Sequence, residues 1–458
     1  MIPQAFLERM RTFPQLDFNA FSAALEQDAV RAFRVNTAKT CDETLLPLLS
    51  YTPAPLPFAA NAYYATDEKV GAMPAHHAGM FYMQDPSAIS AVAAACPQLG
   101  ERVLDLCAAP GGKSTQLGAA IGTNGVLVSN EYVPARCRIL QGNVERMGLR
   151  NTIVTNLDTA ALADFYGACF DLVVADAPCS GEGMLRKYDV AGTEWSPENV
   201  AACAQRQREI LENAARCVRP GGRLLYSTCT FSLEENEHNV WAFLEEHPDF
   251  SLLPVPAAIV LATADGITPD GCPFDLARTR RFYPHISPGE GQFLALLGRS
   301  AKASTTRPTP RDGLCAPDAK IARLAADFLS NVLTQVPHGM RTVLLRDALW
   351  LTPNFPIPSK GIFAPGVCIG TLQKGRIEPH HQLASALGVH YRRRVELRPD
   401  DARVAAYLRG EEIALTQSEA SLGNGFAAVL FAGATLGGGK IVGDRLKNHY
   451  PKGLRNRA

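Results

Sequence analysis

No apolar run in this chain approaches the ~20 residues that a helix needs to span a bilayer. The N-terminal stretch MIPQAFLERM carries acidic Glu8 and lacks the apolar core of a signal peptide. The expected setting is therefore the cytoplasm, away from any membrane. No two of the twelve cysteines are spaced as C-x-x-C, which removes the zinc-ribbon signature. His76–His77 and His380–His381 are adjacent pairs without metal spacing, so no metal is expected. In a chain this long the thiols are expected to stay reduced, and most to be small buried hydrophobes. Internal repeats are absent, and nothing suggests an obligate oligomer, so a monomer is expected. Net charge is lacking too, with 45 basic and 45 acidic side chains.

That neutrality hides an asymmetry. Residues 300–458 hold 22 basic against 12 acidic side chains, whereas residues 76–299 hold 17 against 25. A cationic C-terminal third on an acidic body points to a polyanion-binding module. The 458 residues, 47% of them hydrophobic and 20% charged, suit a folded protein of several domains. Residues 1–75 read as a small α+β unit, with helical spacing in FLERMRTF and FNAFSAALEQ and a strand at AFRVNT (32–37). Asp85 and Pro86 mark the start of a helix. Strands and helices then alternate across 76–299, which predicts a Rossmann-like, mostly parallel seven-stranded sheet with ligands at the strand carboxyl ends. RRFYPHIS and GQFLALLGR are expected to finish it as two edge strands. Residues 300–313, SAKASTTRPTPRDG, read as a linker, and 314–458 as a second α+β module.

Two nucleotide-binding loops are also missing. GGKST resembles the end of a phosphate loop, but position 107 is Cys where that loop needs glycine. Adjacent glycines likewise fail the G-x-G-x-x-G pattern. What remains is a small-residue turn between a strand and a helix: Cys107, Ala108, Ala109, Pro110, Gly111, Gly112 and Lys113. Such residues let a ligand approach the backbone and the free amides of a helix N-terminus. Glu131, Asp158 and Asp176 close the next three strands. Carboxylates there suit ribose hydroxyls and a sulfonium and would repel a triphosphate, so S-adenosyl-L-methionine is the expected cofactor.

Cys179 follows Asp176 at the end of the same strand, in DAPCSGEG, and Cys229 closes the next one, in YSTCT. A thiolate is suited to conjugate addition. Attack on carbon 6 of a cytosine activates carbon 5 towards a methyl donor, and Asp176 is placed to stabilise the ring's amino and N3 edge. Pro178 and a flexible SGEG are expected to let the loop close over a base flipped out of its stack. Which cysteine attacks is open at this level.

FYMQDPSA, DLCAAPGGKSTQL, NEYVPARCRIL, DAPCSGEGMLRK, NVAACAQRQREIL and RPGGRLLYSTCTFSLEENEHNV together resemble the Sun/Fmu-type RNA cytosine-5 methyltransferases over roughly residues 32–299. The resemblance implies that Cys229 is the nucleophile, that Cys179 assists product release, and that residues 107–113, Glu131, Asp158 and Asp176 bind the cofactor. FAPGVCIGTLQKGRIEPHHQLASALG (363–388) and GGGKIVGDRLKNHYPKGLR (437–455) resemble the C-terminal module of the small-subunit ribosomal RNA methyltransferase F family, which implies a PUA-like RNA-binding fold. Lys440, Arg445, Lys447, Lys452 and Arg455 are candidates to neutralise phosphates, and Tyr450 to stack on a base. Lys187 is a further candidate contact to the RNA backbone. The expected substrate is small-subunit (16S) ribosomal RNA, free or in the 30S particle, with the same chemistry on tRNA as the alternative.

Overall fold

The computed structural model describes residues 2–66, 68–187, 189–304 and 310–456. At the N-terminus, helices Gln4–Arg11 and Phe18–Leu25 precede a three-stranded antiparallel sheet. Its central strand, Arg31–Val35, pairs with Ala62–Ala65 on one side and Phe81–Gln84 on the other. The buried Arg34 reaches out of this sheet to the Thr115 hydroxyl, 2.9 Å away on the helix that follows the small-residue turn. Asp85 caps the helix Pro86–Ala95 by accepting from the Ser87 amide at 2.9 Å, as the sequence predicts.

Among the described residues the main sheet has ten strands. Five are parallel: Arg102–Asp105, Val126–Asn130, Thr152–Thr155, Phe170–Asp176 and Val218–Thr228. The antiparallel strands Gln292–Arg299 and Arg280–Phe282 follow the fifth, completing the expected seven. Three short strands lengthen it. Ala264–Asp265 lies outside Arg280–Phe282, and Phe250–Leu252 also pairs with Gln292–Arg299. Gln292–Arg299 is therefore interior, where an edge strand was expected.

Alternation along the strands sorts side chains to the two faces. Leu104, Val128, Val173 and Leu224 pack in one core, while Val103, Leu127, Leu172 and Leu225 pack in another. Helices cover both faces, so the strands read as unbroken apolar runs. The second and third strands lie to one side of the first, and the fourth and fifth to the other. The chain order thus reverses between the first and fourth strands, which opens a crevice at their carboxyl ends.

Among the linker residues expected at 300–313, positions 305–309 lie outside the described set. Beyond them, the helix Ala319–Val332 accompanies a four-stranded sheet, and a five-stranded sheet follows. Between the second and third strands of the four-stranded sheet, the short strand Ile362–Ala364 departs from it and pairs antiparallel with Thr152–Thr155. Just before it, Phe355 and Ile357 enter the same core as Tyr166 and Phe170. The Tyr166 hydroxyl donates to the Pro356 carbonyl at 3.2 Å. No described helix is long and apolar enough to cross a membrane.

Candidate active site

The crevice between the first and fourth strands gathers most of the sequence-predicted residues. Cys107 to Lys113 form the turn into the helix Gly112–Ala120. Gly111 has φ +115°, a conformation that glycine adopts without strain, and the Ala109–Pro110 peptide is cis. The turn is tied down from outside. The Ala108 amide donates to the Asn130 carbonyl at 2.8 Å. From the helix Pro134–Arg146, Arg136 donates to the Ala109 carbonyl and Asn143 to that of Pro110, each at 2.9 Å. Burial pushes the Cys107 thiol well up, so it keeps its proton.

Carboxylates line the crevice. Glu131, buried at the end of the second strand, accepts from the Val133 amide at 2.9 Å and sits 3.3 Å from Arg136. Asp176 accepts from Lys113 at 2.8 Å, from the Ser227 hydroxyl at 2.7 Å and from Gln292 at 3.2 Å. Burial opposes the Lys113 charge, but the Asp176 carboxylate outweighs it and holds the ammonium above its ordinary pKa. Asp158 is placed differently. It is exposed and caps the helix Thr159–Tyr166, accepting from the Ala161 amide at 2.8 Å.

Asp105 was not singled out from sequence. It is fully buried, and burial pushes its carboxyl up to about 7. One oxygen accepts from Ser114 at 2.6 Å, while Oδ1 has no partner. A buried acceptor without a donor is costly, which suits a ligand that brings one. Its only sequence signal is its place at the end of the first strand.

The two thiols meet. Cys179 Sγ and Cys229 Sγ are 3.3 Å apart and unbonded. The hydrogen bond to Cys229, and then burial, hold the Cys179 thiol well above the ordinary range. Cys179 therefore keeps its proton beside the Cys229 sulfur. The loops carrying them are laced together. Glu182, 1% exposed, accepts from Trp195 Nε1 at 2.9 Å, the Thr230 hydroxyl at 2.9 Å, the Phe231 amide at 2.9 Å and the Ser232 hydroxyl at 2.7 Å. Glu235 accepts from the Ser180 amide at 3.0 Å and from Gln207 at 2.8 Å. The Gly183 amide donates to the Cys229 carbonyl at 2.9 Å. SGEG was expected to be flexible; its buried carboxylate instead fixes it against the second thiol loop.

Three families of sequence match this chain. Residues 92–298 match a family described as 16S rRNA methyltransferase RsmB/F, residues 2–86 the N-terminal domain of 16S rRNA methyltransferase RsmF, and residues 394–456 the methyltransferase RsmF PUA domain. The ribosomal RNA small subunit methyltransferase F of Vibrio parahaemolyticus is 32% identical, covering 99% of this chain and 97% of that protein. The chain belongs to the small-subunit ribosomal RNA methyltransferase F family. The enzyme of that name from Klebsiella pneumoniae is also 32% identical, over 99% of this chain and 96% of its own length. Among solved structures, a methyltransferase homologue from Pyrococcus horikoshii superposes with a TM-score of 0.57 at 26% identity, covering 65% of this chain and 95% of that one.

The basic candidates of this family member separate on inspection. Lys440 and Lys447 stand directly opposite each other on the hairpin of strands Ala434–Val442 and Arg445–Asn448, and Arg445 faces Val442 on the same exposed side. Lys440 also lies 5.5 Å from the centre of the Phe426 ring. Like charges face to face destabilise a sheet, so their presence favours a polyanionic partner. Lys452 is exposed, while Arg455 donates to the Tyr450 carbonyl at 3.2 and 3.1 Å. Tyr450 is not available to stack on a base. It is 2% exposed, with its hydroxyl 3.1 Å from His77 Nδ1 and its ring against His381 and Tyr407. Lys187 is ion-paired with Asp85 at 2.5 Å, at the rim of a cavity of about 660 Å³ that Gln84 also lines. Both polar atoms of the Gln84 side-chain amide are buried without a protein partner.

Proposed function

We propose that the chain transfers a methyl group from S-adenosyl-L-methionine to carbon 5 of a cytosine in small-subunit ribosomal RNA, in the cytoplasm. The 3.3 Å approach of Cys179 and Cys229 beside Asp176 carries this reading. A lone thiol at a strand end is ordinary packing; two, of which one is held protonated by the other, suit covalent addition and release.

The residues present fit the cofactor. Its ammonium matches the unpartnered Asp105 oxygen, its ribose hydroxyls match Glu131, and the first amides of the helix Gly112–Ala120 suit its carboxylate. Bound there, it supplies an electrophilic methyl group. The Cys229 sulfur then forms a bond to carbon 6 of the target ring, and the displaced electron pair reaches carbon 5. Asp176, steadied by Lys113, Ser227 and Gln292, holds the ring's amino and N3 edge as charge develops there. After methylation the carbon 5 proton passes to water, its electron pair restores the ring's 5,6 double bond as the carbon–sulfur bond breaks, and the Cys179 thiol donates to the departing Cys229 thiolate. Lys440, Arg445, Lys447 and Lys452 hold the RNA backbone from the C-terminal module.

Bisulfite sequencing of ribosomal and transfer RNA from a deletion strain tests the reaction and substrate together. A 5-methylcytosine lost from 16S RNA is expected. Loss of a tRNA mark with ribosomal RNA intact would move the substrate to tRNA, and no lost mark in either would overturn the chemistry. For the basic face, Lys440, Arg445 and Lys447 changed together to Ala should flatten the dependence of log affinity on log salt by roughly 2–3, at about 0.7–0.9 per phosphate contact. An unchanged slope in RNA-binding titrations would remove these residues from the interface.

A further inference from the structure

We propose that the C-terminal module, beyond gripping RNA, holds the cofactor site in shape, with Gly361 and Asn156 as positioning residues. This rests on the cofactor reading given above. Residues 299–393 lie between the ranges matched by the family comparisons, yet they contribute directly to the wall behind the turn.

A continuous path of contacts runs from this segment to the crevice. Ile362 faces Thr155 and Ala364 pairs with Val154 at the outer edge of the main sheet. One residue earlier, the Gly361 carbonyl accepts from the Asn156 amide at 2.7 Å. The Asn156 side chain then donates to the carbonyls of Glu131 and Tyr132, at 2.6 and 2.8 Å. These carbonyls lie where the second strand turns towards the helix Pro134–Arg146. The Glu131 carboxylate faces Arg136, and Arg136 donates to the Ala109 carbonyl in the cofactor turn. The apolar packing follows the same route. Ala108, Ala109, Cys137 and Leu140 share one core with Trp350, Ala364 and Cys368.

Any substitution at Gly361 is strained. Its φ is +67°, and a β-carbon there would lie 2.2 Å from Leu157 Cδ2 and 3.0 Å from the Asn156 carbonyl oxygen. Even alanine must displace the Leu157 side chain, strain the left-handed backbone and crowd the Asn156 carbonyl, next to the amide and side chain that hold the turn.

The test is calorimetric titration of the full-length protein with S-adenosyl-L-methionine, without RNA, alongside RNA-binding titrations and thermal melts. Gly361→Ala and Asn156→Ala are each expected to weaken cofactor binding by at least about ten-fold. RNA affinity should stay within about two-fold, since the basic face is untouched. The basic-face triple variant should show the reverse. A general loss of structure would move both affinities together, so this split is what a merely structural role does not produce. Gly361→Ala may be replaced in judgement by Asn156→Ala if it does not fold, because the latter keeps the backbone. Folded Asn156→Ala with wild-type cofactor affinity overturns the inference. Absence of binding by the wild-type protein would instead sink the cofactor reading itself.

Discussion

Changing Cys229 to Ser is expected to abolish methyl transfer, while changing Cys179 to Ser should leave the protein joined to its RNA. A nucleophile that acts as a unit with its neighbours typically accounts for a rate factor of about 10⁴ or more. A serine hydroxyl at position 229 is too weak a nucleophile to replace the thiolate. Cys179 is different because it lies 3.3 Å from the attacking sulfur and keeps its proton. Without that donor, attack and methylation proceed but the sulfur departs slowly. The adduct should appear as a slow-migrating protein–RNA band on denaturing gels with the Cys179 variant and be absent with the Cys229 variant. Full methylation by the Cys229→Ser protein would sink the assignment of roles, and the opposite pattern of bands would exchange them.

The second large effect is on Glu182→Ala. Its four donors divide into two kinds. The Thr230 and Ser232 hydroxyls rotate to other acceptors, but Trp195 Nε1 and the Phe231 amide point in fixed directions. Each fixed donor left buried and unpaired costs roughly 1–3 kcal/mol, about 2–6 kcal/mol together. A melting temperature lower by roughly 5–20 °C follows for a domain of this size. Because Glu182 joins the Cys179 loop to the Cys229 loop, activity well below the melting point should fall too. An unchanged melt with full activity would show that the loops are held by other means.

Local motifs were legible in the sequence because their chemistry is written in consecutive residues. Cys107–Lys113 needs small residues for a tight turn, and DAPCSGEG and YSTCT place thiols at strand ends that alternation alone locates. The Asp85 cap and the parallel strands were readable for the same reason. Long-range partners were not. Asn156 meets Gly361 across 205 positions, and no periodicity announces that pairing. Nothing local in SGEG shows that four donors converge on Glu182. Tyr450 sat among lysines and arginines and looked solvent-facing. Its burial comes from His77 of the N-terminal region and Tyr407 of the C-terminal one. Asp158 shows a limit of another sort: a strand-terminal carboxylate and a helix cap have the same sequence appearance, and here the cap is what the structure displays.

The strand Ile362–Ala364 has one more effect, on solubility. Without it, Thr152–Thr155 would be an open border of the main sheet. Bare amides and carbonyls along such a border recruit strands from other chains. At the opposite border the last strand, Ala264–Asp265, has only two residues, too few to template much. The C-terminal segment therefore shields the protein against self-association. Any shortened version ending before residue 361 should be prone to aggregate even if its catalytic residues are intact.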